Sequence, residues 1–189
     1  MNATGRYTTV AIALHWLIAL VVIGQFVLGW QMLGIPKDPP GPRVTAFNLH
    51  KSIGLTLLML MALRLAWRAR HAPPPPMPMP AWQERLARAT HWLFYATLIL
   101  LPLAGYLGSA FSGYPVKYFG ITLPQWAAKH PQAKEIFEVT HLTLTWVLFT
   151  LFGLHVAGAI KHAFIDRDGL LARMGIGRGA KATSSTPAG

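Results

Sequence analysis

The chain has 189 residues, of which 53% are hydrophobic and only 12% are charged, and its mean hydropathy is +0.38. Soluble domains carry about 25% charged residues, so the composition favours a membrane protein. The net charge of +11 would suggest nucleic acid in a soluble chain, but the basic residues lie between and after apolar runs, which indicates lipid headgroups and no nucleic-acid partner. Cysteine is absent, which excludes disulfides, thiolate metal sites and iron–sulfur clusters.

Four apolar segments predict an all-α integral membrane four-helix bundle, with helices at about residues 10–33, 44–67, 91–111 and 138–162. Three of them contain a stretch without charged residues, at 7–36, 89–116 and 139–160, each long enough for the roughly 20 residues that cross a bilayer. The second contains Lys51 and Arg64 near its ends, where long basic side chains reach the interface. Residues 1–174 are therefore predicted to form one transmembrane domain, and residues 175–189 a disordered cytoplasmic tail.

The connections differ in composition. GIPKDPPGPR between the first two helices predicts a short turn, and HAPPPPMPMP between the second and third predicts extended polyproline. A longer loop, from about Ser112 to Phe137, joins the last two helices.

The distribution of basic residues predicts the orientation. Eleven of the 17 Lys and Arg residues lie on the side of the termini, and six lie opposite: Lys37, Arg43, Lys51, Lys117, Lys129 and Lys134. The positive-inside rule then places both termini in the cytoplasm.

Histidines occur at matching depths in three of the predicted helices. His141 and His155 share a face of the fourth helix, because a separation of fourteen residues is only about 40° short of four turns. They lie about 21 Å apart along the axis. His141 lies at the predicted outer level of His50 in the second helix, and His155 lies at the inner level of His15 in the first.

Two histidine pairs in an apolar bundle predict two bis-histidine haem groups between the helices. Few carboxylates lie nearby, so zinc or di-iron carboxylate sites would lack their usual oxygen ligands. A haem iron with two axial imidazoles has no open position, and its chemistry is one-electron transfer. Several glycines could leave room for the macrocycles: Gly24, Gly29, Gly54, Gly105, Gly108, Gly153 and Gly158.

Other interpretations of the histidines stay open. A single intramembrane histidine is commonly a hydrogen-bonded packing residue. His91 competes with His15 or His155 as a ligand, although a position at the interface is the simpler interpretation. His162, beside Lys161, is a candidate contact for a haem propionate or a quinone, or else an exposed residue.

The sequence resembles the bacterial cytochrome b561 family. The resemblance rests on YTTVAIALHW, NLHKSIG with LLMLMALRLAWR, THWLFYATLILLPLAGY and GLHVAGAIKHAFIDRDG, and it extends from Arg6 to about Arg173. It implies a four-helix cytochrome of the bacterial inner membrane with two haems b. The iron ligands would be His50 and His141 for the outer haem, and His15 and His155 for the inner one.

The resemblance also implies electron exchange with the quinone pool. One activity of the family is superoxide oxidation at the outer face with reduction of ubiquinone, and we expect this enzymatic function here. The excess of outer basic residues, including Lys51 and Lys117, could steer a small anion, or could instead bind propionates and headgroups. The alternative function is a haem b anchor and electron-relay subunit for a periplasmic dehydrogenase or hydrogenase, with a partner redox protein. A third possible function is that of a membrane scaffold without haem.

Overall fold

A computed structural model describes residues 6–177 and confirms the all-α membrane architecture. The long helices are α1 (Thr9–Gly34), α2 (Pro40–Arg70), α3 (Ala81–Ala110) and α4 (Pro131–Ile160). Each is long and apolar enough to cross a membrane. A two-stranded hairpin, β1 (Lys117–Tyr118) with β2 (Ile121–Thr122), lies between α3 and α4. A π-helical turn (Lys161–Asp166) and a 3₁₀ turn (Leu170–Met174) follow α4.

Three helices begin earlier than the sequence predicted: α2 at 40 rather than 44, α3 at 81 rather than 91, and α4 at 131 rather than 138. Proline occupies the first turn of α2 and of α4, where its missing N–H costs nothing. In α3, Glu84 pairs with Arg88 at 2.7 Å, one turn apart, which supports a polar helical extension. Hydropathy detects only the part of a helix that lies in lipid, so it misses such ends.

The bundle packs in chain order, with extensive contacts of α1 with α2, α2 with α3, and α3 with α4. Its central core is an apolar layer made of Ile18, Val22, Leu57, Met61, Leu98 and Leu148. Phe26 of α1 meets Phe149 and Phe152 of α4 edge to face, at 5.5 and 6.3 Å between ring centroids. Large apolar side chains such as Leu20 and Trp30, 66% and 77% exposed, point outward and suit lipid contact.

The hairpin closes one end of the bundle, which we call the hairpin end. The Ser52 hydroxyl on α2 is 1% exposed and accepts the backbone N–H of Phe119 at 2.9 Å. The hydroxyl groups of Thr56 and Tyr118 lie 3.2 Å apart. The predicted loop from 112 to 137 is therefore structured in part, and its last residues belong to α4.

The opposite end, which we call the terminal end, contains the beginning of α1, the proline-rich loop and the turns after α4. The indole N–H of Trp16 donates to the Met174 carbonyl at 3.0 Å, and Arg173 donates to the Pro75 carbonyl at 2.8 Å. Residues 71–80 contain no helix, as predicted. Of the predicted tail, residues 175–177 turn back through Gly175 at φ +87°, and residues 178–189 lie outside the described part.

Candidate functional site

At the hairpin end, α2 and α4 bring two imidazoles together. The ring centroids of His50 and His141 are 6.1 Å apart, with the planes at 80°, and both side chains are half-buried. A metal with one nitrogen ligand on each side needs two bonds of about 2 Å. The gap between these rings is therefore suited to a single metal atom.

The orientation of His141 is determined by α3. Its Nδ1 lies 2.9 Å from the Leu101 carbonyl oxygen. A carbonyl only accepts, so Nδ1 carries the proton and Nε2 has a free lone pair. Gly105, one turn further along α3, makes this approach possible, because a Cβ at that position would lie 2.9 Å from Nδ1 of His141. A metal-binding histidine is commonly oriented by such a bond through its other ring nitrogen.

His50 has a different environment, shared with α1. Its carbonyl oxygen accepts a hydrogen bond from the Gln25 amide at 2.9 Å, and a Cβ at Gly29 would lie 3.6 Å from its Cε1. Among the described residues, neither Nδ1 of His50 nor Oε1 of Gln25 has a hydrogen-bond partner, although both atoms are buried. These two atoms are complementary, because an imidazole N–H donates and an amide oxygen accepts, and their residues are already linked by the hydrogen bond from the Gln25 amide to the His50 carbonyl.

At the terminal end, three histidines from three helices meet. The centroid of His155 lies 6.1 Å from that of His15 and 6.0 Å from that of His91. Phe94 packs edge to face against His155 at 5.4 Å. The predicted partners His15 and His155 are thus brought together, but His91 is equally close. Sequence periodicity could not reveal this, because the rotation of α3 about its axis decides where His91 points.

The geometry fits a group that takes two imidazole ligands from different helices. The two histidine sets lie at opposite ends of the bundle, on either side of the apolar core layer, and α4 contributes one residue to each. The predicted glycines divide into two groups. Gly29, Gly54, Gly105 and Gly108 allow close contacts with side chains of neighbouring helices, whereas a Cβ at Gly24, Gly153 or Gly158 would meet nothing within 4 Å. These three positions adjoin open space, as a bound macrocycle requires.

His162 belongs to a separate polar group in the π-helical turn, which sequence reasoning did not anticipate. Its Nδ1 lies 2.7 Å from a carboxylate oxygen of Asp168 and 3.2 Å from one of Asp166. Lys161 also pairs with Asp166, at 2.5 Å. Partial burial opposes ionisation of Asp168, but hydrogen bonds from the Leu170 N–H and from His162 outweigh it and lower the pKa of this carboxyl. His162 is not part of the terminal-end histidine set.

Comparison with known proteins agrees with this geometry. Residues 6–177 match the family model described as prokaryotic cytochrome b561. Cytochrome b561 homolog 2 of Escherichia coli K12 is 37% identical over 175 residues, which cover 92% of this chain and 93% of that protein. A Yersinia pestis protein named "Probable superoxide oxidase CybB" is 28% identical over 171 residues, which cover 89% of this chain and 95% of that protein. Cytochrome b561 homolog 1 of E. coli K12 is 29% identical over 94 residues, about half of each chain.

The family match confirms the resemblance found in the sequence, and it covers the whole described part of the chain. Together with the four spans and the paired imidazoles, it identifies an electron-transfer protein of the bacterial inner membrane whose cofactor is a b-type haem. The chain belongs to the prokaryotic cytochrome b561 family.

Proposed function

We propose that this protein holds two haems b, oxidises superoxide at the periplasmic face of the inner membrane and passes the electrons to ubiquinone. The observation that supports this most directly is the presence of two imidazole sets at opposite ends of one membrane-spanning bundle. Two sites, about 21 Å apart along α4, would connect the two faces of the membrane.

His50 and His141 would hold the haem at the hairpin end, and His15 and His155 the haem at the terminal end. When bound, the haems supply reversible one-electron chemistry. The protein orients their ligands, because the Leu101 carbonyl accepts a hydrogen bond from Nδ1 of His141. We assign the matching role at His50 to Gln25, whose unpartnered amide oxygen complements Nδ1 of that histidine.

His91 requires a separate test, because its ring is as close to His155 as that of His15 is. In our assignment His15 is the ligand, and His91 packs beside His155 without binding the iron. Replacing His15 with Ala should remove one haem, whereas His91→Ala should keep two. A pyridine haemochrome assay on both purified variants distinguishes the assignments, and loss of haem from His91→Ala alone would reverse them.

The proposed orientation of the bundle in the membrane rests on the distribution of its basic residues. The hairpin end carries six of the 17 Lys and Arg residues, and the positive-inside rule assigns it to the periplasm with both termini in the cytoplasm. Superoxide would then reach the His50 and His141 site from the hairpin side.

The hairpin end has the charge that a small anion would require. Its acidic residues are Asp38, Glu135 and Glu138 against six basic ones, and Glu138 already pairs with Lys134 at 2.6 Å. Within the described residues, Lys51 and Lys117 form no ion pair. Lys51 follows His50 in α2, and Lys117 is exposed on the hairpin that covers this end. Such a surface raises the encounter rate with an anion.

The overall reaction balances with one quinone for two superoxide anions. Each superoxide loses one electron and leaves as O₂, and ubiquinone takes up two electrons and two protons to become the quinol. Under the proposed orientation, the titratable group formed by His162, Asp166 and Asp168 lies on the cytoplasmic side, where it can exchange protons with water. We propose His162 as a contact of the quinone at that end.

A superoxide pulse in stopped-flow measurements tests the proposed function. Haem reduction in detergent should be fast and should slow as salt rises, since the Debye length shrinks from about 30 Å at 0.01 M to about 10 Å at 0.1 M. The variants Lys51→Gln and Lys117→Gln should reduce both the rate and its salt dependence. Arg85→Gln removes the same charge at the terminal end and should change neither.

A slow, salt-insensitive reduction by superoxide would refute the enzymatic proposal. It would favour instead the relay subunit, which accepts electrons from a periplasmic dehydrogenase or hydrogenase. Reduction of added ubiquinone by the pre-reduced protein then separates the two halves of the reaction, because the lysine variants should leave that step unchanged.

A further inference from the structure

A cavity of about 540 Å³ lies at the terminal end, between the beginnings of α1 and α3, the end of α2 and the proline-rich loop. It adjoins the terminal-end histidine set through Arg64, but none of the three clustered histidines lines it. The residues that determine its chemistry are Arg6, Arg64, Trp67, Arg68, His71 and Tyr95.

Hydrogen bonds and ring stacking hold the cavity wall in place. The Trp67 indole N–H donates to the Thr8 hydroxyl at 2.9 Å, which joins α2 to the cap of α1. The same indole stacks on His71, with ring centroids 3.9 Å apart and planes at 10°. Arg64 donates to the Ala11 carbonyl at 3.3 Å. The wall is therefore formed by the fold itself and does not depend on a ligand to assemble it.

The cavity carries a concentrated positive charge. Among the residues that the structure describes, three guanidinium groups line it and no carboxylate does. In the described part of the chain, Arg6, Arg64 and Arg68 take part in no ion pair. Two of them lie over the same ring: the Arg64 and Arg68 guanidinium carbons are 6.0 and 5.6 Å from the Tyr95 centroid. Like charges held this close repel one another, so an anion that joins them is favoured.

The cavity also has a defined position relative to the membrane. It lies where the apolar spans end, and Tyr7, Trp67 and Tyr95 mark the aromatic level that is typical of the membrane interface. Leu14, Ala11 and the prolines of the loop add an apolar wall. Guanidinium groups bind phosphate with two parallel hydrogen bonds, and an apolar surface beside them suits a glycerol backbone and the first part of an acyl chain.

We infer that this cavity is a binding site for the phosphate headgroup of an anionic phospholipid, such as phosphatidylglycerol. Under the proposed orientation the lipid belongs to the cytoplasmic leaflet, and only this choice of leaflet rests on the proposed function. Basic sites between transmembrane helices on that side are suited to anionic headgroups. Arg6 and Arg68 are exposed at the mouth and reach the phosphate first, whereas the half-buried Arg64 forms the inner wall.

Titration of the full-length holoprotein in detergent with phosphatidylglycerol, followed by native mass spectrometry, tests the site. Phosphatidylcholine is the zwitterionic reference and inorganic phosphate is the free-anion reference. We expect phosphatidylglycerol to bind more tightly than either. Removing one guanidinium near a membrane surface weakens binding by about 1 kcal/mol, or roughly fivefold, so Arg6→Gln with Arg68→Gln should weaken it by about 25-fold. Arg85→Gln, an exposed arginine outside the cavity, should preserve the wild-type affinity.

Three results would overturn the inference. Equal affinity of the double variant and the wild type would show that the lipid binds elsewhere. Equal binding of inorganic phosphate and phosphatidylglycerol would make the site one for a free anion. Loss of haem from the double variant, with its helical content unchanged, would assign the arginines to haem propionates. Failure of the superoxide assay affects none of these measurements, so the two proposals can fail separately.

Discussion

Replacement of Gly105 by Ala tests how the His141 site is built. A Cβ on residue 105 would lie 2.9 Å from Nδ1 and 3.0 Å from Cε1 of His141, closer than side chains pack. The imidazole must therefore move, and its 2.9 Å hydrogen bond to the Leu101 carbonyl breaks. Losing that bond costs about 1 kcal/mol, while alanine in place of glycine within a helix gains about 1 kcal/mol. Overall stability should thus change little, and the effect should be confined to the metal site.

The expected result is a protein that inserts normally but has lost or altered one of the two proposed haems. Redox titration monitored by visible spectra should show one component weakened or shifted in potential, with the other as in the wild type. Gly34→Ala is the matched control, because its Cβ would meet nothing within 4 Å. If Gly105→Ala retains both haem components with unchanged potentials, His141 is not oriented in the way that we describe.

Three further predictions address the remaining assignments. His50→Ala should lose about half of the haem in a pyridine haemochrome assay, since the two sites share no ligand, and loss of all haem from a stable variant would contradict the pairing. A reporter fused after Gly189 should be active on the cytoplasmic side only, and periplasmic activity would invert the bundle. Asp168→Asn should unfold at a lower temperature than the wild type at pH 7, because the folded protein lowers the pKa of Asp168 and ionisation therefore stabilises it. That advantage should begin to shrink as pH falls below about 4, where Asp168 of the unfolded chain takes up a proton, and it is lost only below the lowered pKa of the folded protein. A difference in unfolding temperature that does not shrink with falling pH would exclude an electrostatic origin.

The sequence was sufficient for the features that depend on composition and helical period. The four spans follow from long apolar runs, and the shared face of His141 and His155 follows from their separation. The nearness of His15 to His155 and of His50 to His141 was expected from depth alone, and the structure brings each pair to 6.1 Å.

Other features depend on how whole helices are rotated and joined, which periodicity does not determine. His91 was predicted as a competing ligand from its place at the start of the third helix, but only the rotation of α3 brings its ring to 6.0 Å from that of His155. The hairpin has strands of only two residues, too short for an alternating pattern, and a buried hydroxyl of α2 anchors it. Of the cavity arginines, Arg6 precedes α1, whereas Arg64 and Arg68 lie near the end of α2, so no single local motif contains all three.

The apolar core layer has an energetic consequence for turnover. Its six members, from Ile18 to Leu148, include no titratable side chain, so none of them can bind a proton. If haems bind at both histidine sets as proposed, an electron that passes between them would cross this layer without a proton bound by its members, and the transfer would be electrogenic. Moving one charge across the whole membrane exchanges about 2.3 kcal/mol per 100 mV of membrane potential. In a bacterium whose interior is negative, inward electron flow through this layer would work against the membrane potential. A large membrane potential would therefore slow the transfer, and loss of the potential would speed it.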